Sequence, residues 1–275
     1  MRRLLPVLLL AALALSACAR AEHLAVVGNA PGSLGVGTQR VVVAYRTEVG
    51  EDLAAPDLEA ELVVAREGAE PQRVPTDFVW MTEGVRGLYV ATVEFDQPGQ
   101  WTATLYPDGE SQTLASPFFV DEHPSTPEVG EAAPVVASET LDDVDGDLTL
   151  ITTDPDPDPA MYEVSADDAV TNGTPAVIVF ATPAFCQTAV CGPMLDQVKE
   201  LRSTSDGALD WVHVEVYELE DVDPNDLTPV PAALEWGLPS EPWVFVVDAD
   251  GVVTHRFEGV VSEGELTAAV AAVTG

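Results

Sequence analysis

The stretch FATPAFCQTAVCGP, residues 180–193, holds two of the three cysteines of this 275-residue chain. The apolar run that leads into it, residues 176–180, is typical of a fully buried strand. After the stretch, apolar residues recur with helical spacing, which predicts a helix over residues 193–203. The sequence therefore predicts that Cys186 and Cys191 lie in a loop that joins a buried strand to a helix.

This order, with Cys191-Gly192-Pro193-Met194 at the helix start, resembles the active-site segment of thioredoxin-like proteins. Pro242 directly precedes a short apolar strand and is similar in position to the cis-proline of that family. The tail from Gly251 to Leu266 resembles the family's closing hairpin and helix. The resemblance covers residues 174–275 and implies a thioredoxin-like α/β domain, although Cys-x4-Cys replaces the family's Cys-x-x-Cys.

The N-terminus predicts export and lipidation. Residues 1–3 are positively charged at two positions, and the apolar run 4–15 is too short to span a bilayer but typical of a signal peptide. The segment Leu15-Ser16-Ala17-Cys18 resembles a bacterial lipobox, which implies cleavage of the signal peptide 1–17 and a lipid on Cys18. Acyl chains would hold the protein in the cell envelope, on the outer face of the cytoplasmic membrane or in the periplasm.

The composition excludes some classes of function. Asp and Glu total 47 against 11 Lys and Arg, which gives a formal net charge of −36. Such a surface repels nucleic acid and anionic lipid headgroups, so nucleic-acid binding is excluded. The acidic segment 142–147 has its glycine in the wrong place for a calcium loop, and we assign neither a metal nor an organic cofactor.

The region 24–121 predicts an all-β domain. Its β-prone runs are separated by Gly, Pro and Asp turns and cover residues 41–45, 61–64, 88–95, 100–106 and 118–120. Apolar residues alternate over 88–95 and 100–105, which predicts a hairpin packed into a β-sandwich. The pattern resembles the small immunoglobulin-like domains of bacterial envelope proteins and shows no functional site.

A second domain is predicted after a linker over residues 122–128. Residues 129–134, VGEAAP, resemble the opening segment of peroxiredoxins and membrane-anchored thioredoxins, so the thioredoxin-like domain is placed at 129–275. It begins with an acidic, Asp/Pro-rich extension and has its core at 174–275. Within the core we expect strands 210–217, 243–247 and 252–258 and a last helix 263–273, capped by Ser262 and Glu265.

Chemistry, rather than structural support, is the expected role of the remaining cysteine pair. Only Cys186 and Cys191 survive lipidation in an exported chain, and a disulfide between them would close too small a loop to stabilise a fold well. A helix N-terminus lowers a thiol pKa, and Gly192-Pro193 starts the helix beside Cys191, which predicts Cys191 as nucleophile and Cys186 as its resolving partner. A disulfide also requires a non-helical segment between them, because five helical residues rise about 7.5 Å.

The predicted function is that of a membrane-anchored thiol–disulfide oxidoreductase with a protein thiol or disulfide as partner. In the thioredoxin family, the backbone before the cis-proline pairs with an incoming peptide, which implies a substrate-binding role for Glu241 and Pro242. An acidic residue at that position differs from the apolar or hydroxyl residue usual in the family.

Three alternatives remain open. A Sco-like copper-binding chaperone would combine the two thiolates with His213 or His255, although a surface or edge position is the more ordinary role for either histidine. A peroxiredoxin-like peroxidase would use the Pro, Thr and Cys of segment 183–191, with Arg256 near the thiol. The third alternative is a redox-inactive interaction domain.

Overall fold

The computed structural model describes residues 23–109, 113–186, 188–205, 209–220 and 222–275. The predicted signal peptide 1–17 and the lipidation site Cys18 lie outside the described residues. No helix within the described ranges is long and apolar enough to cross a membrane.

Two four-stranded antiparallel sheets form a sandwich from the N-terminal half of the chain. The strands are β1 His23–Val27, β2 Gly37–Thr47, β3 Ala60–Ala65, β4 Gln72–Pro75, β5 Asp77–Thr82, β6 Arg86–Phe95, β7 Gly99–Pro107 and β8 Ser116–Val120. The first sheet has the order β1-β2-β6-β5 and the second the order β4-β3-β7-β8. All the β-prone runs predicted from the sequence are confirmed as strands, whereas β1, β4 and β5 were not predicted. The immunoglobulin-like classification stays a prediction.

The hairpin predicted between residues 88–95 and 100–105 is wrong. β6 pairs with β2 and β5, and β7 pairs with β3 and β8, so the turn between β6 and β7 carries the chain from one sheet to the other. The alternation of apolar residues is nevertheless confirmed, since Phe95 of β6 meets the ring of Trp101 of β7 edge-on across the core, at 5.0 Å between centroids. Alternation fixes which face of a strand is buried, but it does not fix the partner strand.

The C-terminal half alternates strands and helices, as predicted from residue 174 onward. Its elements are α1 Ala166–Ala169, β9 Ala176–Ala181, α2 Cys191–Thr204, β10 Asp210–Glu215, α3 Pro231–Glu235, β11 Trp243–Val247, β12 Val253–Glu258 and α4 Glu263–Thr274. The sheet order is β10-β9-β11-β12, with β9 parallel to β10 and β11 antiparallel to both of its neighbours. Every residue of β9 and β11 is buried, because α2 and α4 cover one face of the sheet while α1 and α3 cover the other.

The last helix begins as the sequence predicts. The hydroxyl of Ser262 accepts the backbone N–H of Glu265, and the carboxylate of Glu265 accepts the backbone N–H of Ser262. This capping box satisfies two of the free N–H groups at the start of α4 and fixes the residue at which the helix begins.

The segment between the two halves, residues 122–165, packs against both of them. Ser125 donates its N–H to the carbonyl of Gly32 at 2.7 Å, and a Cβ at Gly237 would lie 1.9 Å from the carbonyl oxygen of Ser125. Further along, Met161 and Tyr162 are buried in the core of the C-terminal half. The predicted boundaries 24–121, 122–128 and 129–275 stay predictions, but the linker region is in close contact with its surroundings.

Candidate functional site

Four segments of the chain meet at one edge of the C-terminal sheet. β9, β10 and β12 end at this edge, and the antiparallel strand β11 begins there. The cysteine loop after β9 therefore lies near Tyr217, the Glu241–Pro242 peptide and Gly259. The Glu241–Pro242 peptide bond is cis, as the position of this proline indicates.

The segment before Cys191 is a turn rather than a helix. Ala189 adopts a φ of 58°, and its N–H donates to the carbonyl of Cys186 at 3.3 Å. Val190 is buried and α2 begins only at Cys191, so the turn is anchored at its far end. The described part of the connection, residues 188–190, is therefore non-helical, as a disulfide would require, and Cys186 is folded back onto the start of α2.

The sulfur of Cys186 is surrounded by hydrogen-bond donors. It accepts the backbone N–H of Cys191 at 3.3 Å and lies 3.4 Å from the hydroxyl oxygen of Thr188. The Cys191 side chain and the Val190 backbone also favour the charged form of this sulfur and lower the pKa of Cys186. Free N–H groups and the partial positive charge of a helix N-terminus both stabilise a thiolate, so this position favours negative charge on Cys186.

The two thiols differ strongly in acidity. The hydrogen bond from Cys191, together with those from Thr188 and the backbone, lowers the pKa of Cys186 to about 5 in spite of its partial burial. The same hydrogen bond and burial raise the pKa of Cys191 well above the ordinary value for a thiol. Cys186 is partly exposed, whereas Cys191 is 0% exposed and belongs to the core beneath α2.

This geometry reverses the roles that the sequence predicted for the two cysteines. Gly192-Pro193 does place Cys191 at the helix start, but its side chain turns into the core and its N–H group serves Cys186. Cys186 is therefore the candidate nucleophile and Cys191 the candidate resolving thiol. Both are free thiols in this structure, so the disulfide between them stays a prediction.

A carboxyl group borders the cysteine pair. Burial, followed by the negative charge of Cys186, raises the pKa of Glu241, and Tyr217 donates its hydroxyl to Glu241 Oε2 at 3.4 Å. Burial and the charge of Glu241 raise the pKa of Tyr217 to about 12, so its phenol remains protonated and available as a donor. The structure brings Glu241 and Pro242 to the cysteine site, and their contact with a substrate stays a prediction.

Neither candidate histidine is placed as a copper ligand. His213 is buried rather than at the surface: its Nδ1 lies 2.6 Å from the hydroxyl oxygen of Tyr162, and its Nε2 lies 3.1 Å from the carbonyl oxygen of Ala181. Both ring nitrogens are thus engaged within the protein. His255 lies on β12, where its ring stacks on Phe257 at 6.3 Å. Among the described residues, no group of three or more His, Cys, Asp or Glu side chains is arranged to hold a metal ion.

Arg256 does not serve the thiol as a peroxidase would require. Its Nη2 donates to Gln39 Oε1 at 2.6 Å and to the carbonyl of Ser33 at 3.0 Å, and its Nη1 donates to Thr126 Oγ1 at 2.6 Å. The guanidinium group therefore joins the C-terminal sheet to the sandwich and the linker region. The segment 183–191 fits the peroxidase alternative no better, because its Cys191 is buried and protonated.

Two features of the site were not predicted from the sequence. The first is Tyr217, which contacts Glu241 and which no sequence pattern identifies. Thr188, which the sequence offers only within the peroxidase alternative, lies beside the Cys186 sulfur. The second feature is an apolar cover over the cysteine loop, formed by the sandwich. It does have a signal, because residues 41–45 of β2 are apolar at every position, as in a strand that is buried on both faces.

The strand order and the site together define the class of this half of the chain. A β-α-β unit is followed by a β-β-α unit in one sheet of order β10-β9-β11-β12, and the cysteine pair lies at the start of the first long helix. This arrangement is a thioredoxin-like fold, preceded in the chain by a β-sandwich.

Among the comparisons with known proteins, only the search of solved structures finds similarity. The sequence matches no protein-family model, and no curated protein matches it significantly. A similar solved structure is that of a thiol:disulfide interchange protein, a thioredoxin family protein from Chlorobium tepidum TLS, at 17% sequence identity and a TM-score of 0.33. The similarity covers 54% of this chain and 99% of that chain.

Proposed function

We propose that the protein is a thiol–disulfide oxidoreductase of the cell envelope. The observation that carries the proposal is the asymmetry of the hydrogen-bonded cysteine pair at the start of α2. Cys186 is partly exposed and acidic, whereas Cys191 is buried and protonated. Two-step exchange needs one thiolate that attacks and one thiol that is withheld until a mixed disulfide has formed.

The steps follow from these positions. The Cys186 thiolate attacks one sulfur of a substrate disulfide, a bond forms between the two sulfurs, and the other substrate sulfur leaves as a thiolate that takes up a proton. Cys191 then loses its proton and attacks Cys186 Sγ, which releases the second substrate thiol and leaves a Cys186–Cys191 disulfide. The protein pair is oxidised by two electrons and the substrate disulfide is reduced to two thiols. Glu241 and Pro242 border the sulfur that the substrate approaches.

A redox titration tests this function. The mature protein is equilibrated across a series of glutathione potentials, quenched by alkylation, and analysed by mass at the peptides that carry Cys186 and Cys191. We expect both cysteines to become resistant to alkylation together, with one midpoint, and to react again after reduction. A pair that stays alkylatable under oxidising conditions would exclude the oxidoreductase and leave an interaction domain.

We also propose that the protein is attached to the membrane by a lipid on Cys18. The support is the charged and apolar leader that ends in Leu15-Ser16-Ala17-Cys18. Metabolic labelling with a radioactive fatty acid is expected to mark the wild type and not a Cys18→Ala variant, and Cys186→Ala serves as the matched cysteine control. Label that persists in Cys18→Ala would rule out this attachment site.

A further inference from the structure

The outer face of the first sandwich sheet lies against the cysteine loop. Each strand of a sandwich sheet turns alternate residues away from the sandwich core, and here those residues are apolar and 4–7% exposed: Val42, Ala44, Val79, Leu88 and Val90. They form one buried cluster with Val190 of the cysteine loop and Val260 of the segment after β12. Cys186 and Met81 pack against the same cluster.

Polar contacts also join the sandwich to the C-terminal half beside this apolar cluster. Arg40 of β2 forms a bidentate pair with Glu265 of α4, at 2.7 and 3.1 Å. Although burial raises the pKa of Glu265, the hydrogen bonds and charge of Arg40 hold it below its usual value, so the carboxylate is charged in the pair. The ion pair lies beside Phe257, whose ring centroid is 5.7 Å from the guanidinium carbon of Arg40.

A second set of contacts reaches the segment directly before Pro242. The carboxylate of Glu258 accepts the side-chain amide of Asn29 at 2.9 Å and the backbone N–H of Ala30 at 2.7 Å. It also accepts the hydroxyl of Ser240 at 3.0 Å, one residue before Glu241. The sandwich therefore borders the cysteine site on its β12 side by apolar packing, by one ion pair and by hydrogen bonds to Glu258.

We propose that the sandwich is a fixed wall of the cysteine site and that it restricts thiol–disulfide exchange to small disulfides. The proposal rests on the proposed function and narrows its substrate class. An extended polypeptide lies about 4.8 Å from the strand with which it pairs, and it needs room for its side chains on both faces. Val190 and Val260 line the β12 side of the site, and both are already covered by the sandwich.

Charge narrows the substrate further. The formal net charge of −36 and the carboxyl of Glu241 beside the thiol disfavour an anionic disulfide, so a neutral or cationic one fits the site better. Cystamine has this chemistry and serves as the small probe. Its exchange follows the steps given above: two cysteamine thiols are released and the Cys186–Cys191 disulfide is formed.

The test compares cystamine with insulin as oxidants of the reduced protein. Each rate is divided by the rate at which free dithiothreitol reacts with the same disulfide. For the wild type we expect the normalised cystamine rate to exceed the insulin rate by about a hundredfold. An Asn29→Ala/Arg40→Ala variant removes polar contacts of the wall and should raise the insulin rate about tenfold. Arg73→Ala, which breaks an exposed ion pair with Glu61 on the other sheet, should leave both rates unchanged.

The outcomes separate the two proposals. If neither disulfide oxidises the wild type, the proposed function fails. If insulin reacts as fast as cystamine with the wild type, the sandwich does not restrict the substrate, and the proposed function still stands. If the double variant is folded by circular dichroism and yet gains no reactivity with insulin, the sandwich is not the barrier. The wild-type ratio decides the proposal by itself should the double variant fail to fold.

Discussion

Replacing Cys186 by Ser is expected to abolish thiol–disulfide exchange, whereas replacing Cys191 by Ala stops the reaction halfway. The first change removes the only partly exposed thiol of the pair, and the remaining Cys191 is 0% exposed. The second change leaves the attacking thiol but no thiol to resolve the mixed disulfide, which should accumulate as one substrate adduct per chain. Mass measurement of the quenched protein distinguishes the two results.

The Cys191→Ala variant also reports on the acidity of Cys186. In the wild type, alkylation of Cys186 should follow a thiolate with a pKa of about 5. The main cause of the shift is the hydrogen bond from Cys191, so Cys191→Ala should move the midpoint upward, toward the ordinary thiol value of about 8.5. At about pH 6 the thiolate fraction would then fall tenfold or more.

Cys191→Ser is the matched control for this effect. Its hydroxyl can still donate to the Cys186 sulfur, so its alkylation midpoint should lie closer to that of the wild type than the midpoint of Cys191→Ala. The measurement is the rate of iodoacetamide labelling at the Cys186 peptide against pH. Preferential labelling of Cys191 in the folded wild type would contradict the assigned roles.

The sequence predicts the frame of the site better than its interior. The buried strand before the loop, the helix start at Gly192-Pro193 and the position of Pro242 all follow from local patterns, because each depends on its near neighbours in the chain. The assignment of Cys186 as candidate nucleophile and Cys191 as candidate resolving thiol does not follow from such patterns. It depends on a turn with Ala189 at φ 58°, a conformation that residue type alone does not indicate for alanine.

Contacts between distant segments account for the other differences. β6 and β7 are adjacent in sequence and separated by a short turn, yet they do not pair with each other. Instead β6 pairs with the distant strand β2, and β7 pairs with the distant strand β3. The cover over the cysteine loop joins β2 and β6 to Val190 and Val260, which lie at least 95 positions further along the sequence. A single sequence shows that β2 is apolar on both faces, but it does not show what covers the second face.

The stability of the C-terminal half should depend on pH through His213. This histidine is buried on the edge strand β10, and burial lowers its pKa to about 4. The carbonyl of Ala181 can only accept, so Nε2 carries the proton of the neutral ring and Nδ1 accepts the hydroxyl of Tyr162. The negative charge of Asp154 raises the pKa of His213, and the positive charge of Lys199 lowers it. These two side chains form an ion pair with each other at 2.8 Å.

The sign of the effect follows from the two protonation states. In the unfolded chain the histidine takes up a proton near its ordinary pKa of about 6.5, whereas the folded protein resists protonation down to about 4. The unfolded state therefore binds more protons between these values, and the free energy of unfolding falls as the pH falls through this window. The full contribution is present above about pH 6.5, and its loss amounts to about 3 kcal/mol by about pH 4.

His213→Gln isolates this contribution from that of the many carboxylates that titrate nearby. A glutamine amide can donate to Ala181 and accept from Tyr162, but it does not titrate. The difference in unfolding free energy between wild type and variant, measured by urea denaturation across the window, should change by about 3 kcal/mol, with the wild type losing more at the acid end. His123→Gln, at a side chain that is 80% exposed, should leave the wild-type curve in place. Parallel curves for wild type and His213→Gln would mean that the folded protein accommodates a charged His213, and that its buried hydrogen bonds are not tied to the neutral ring.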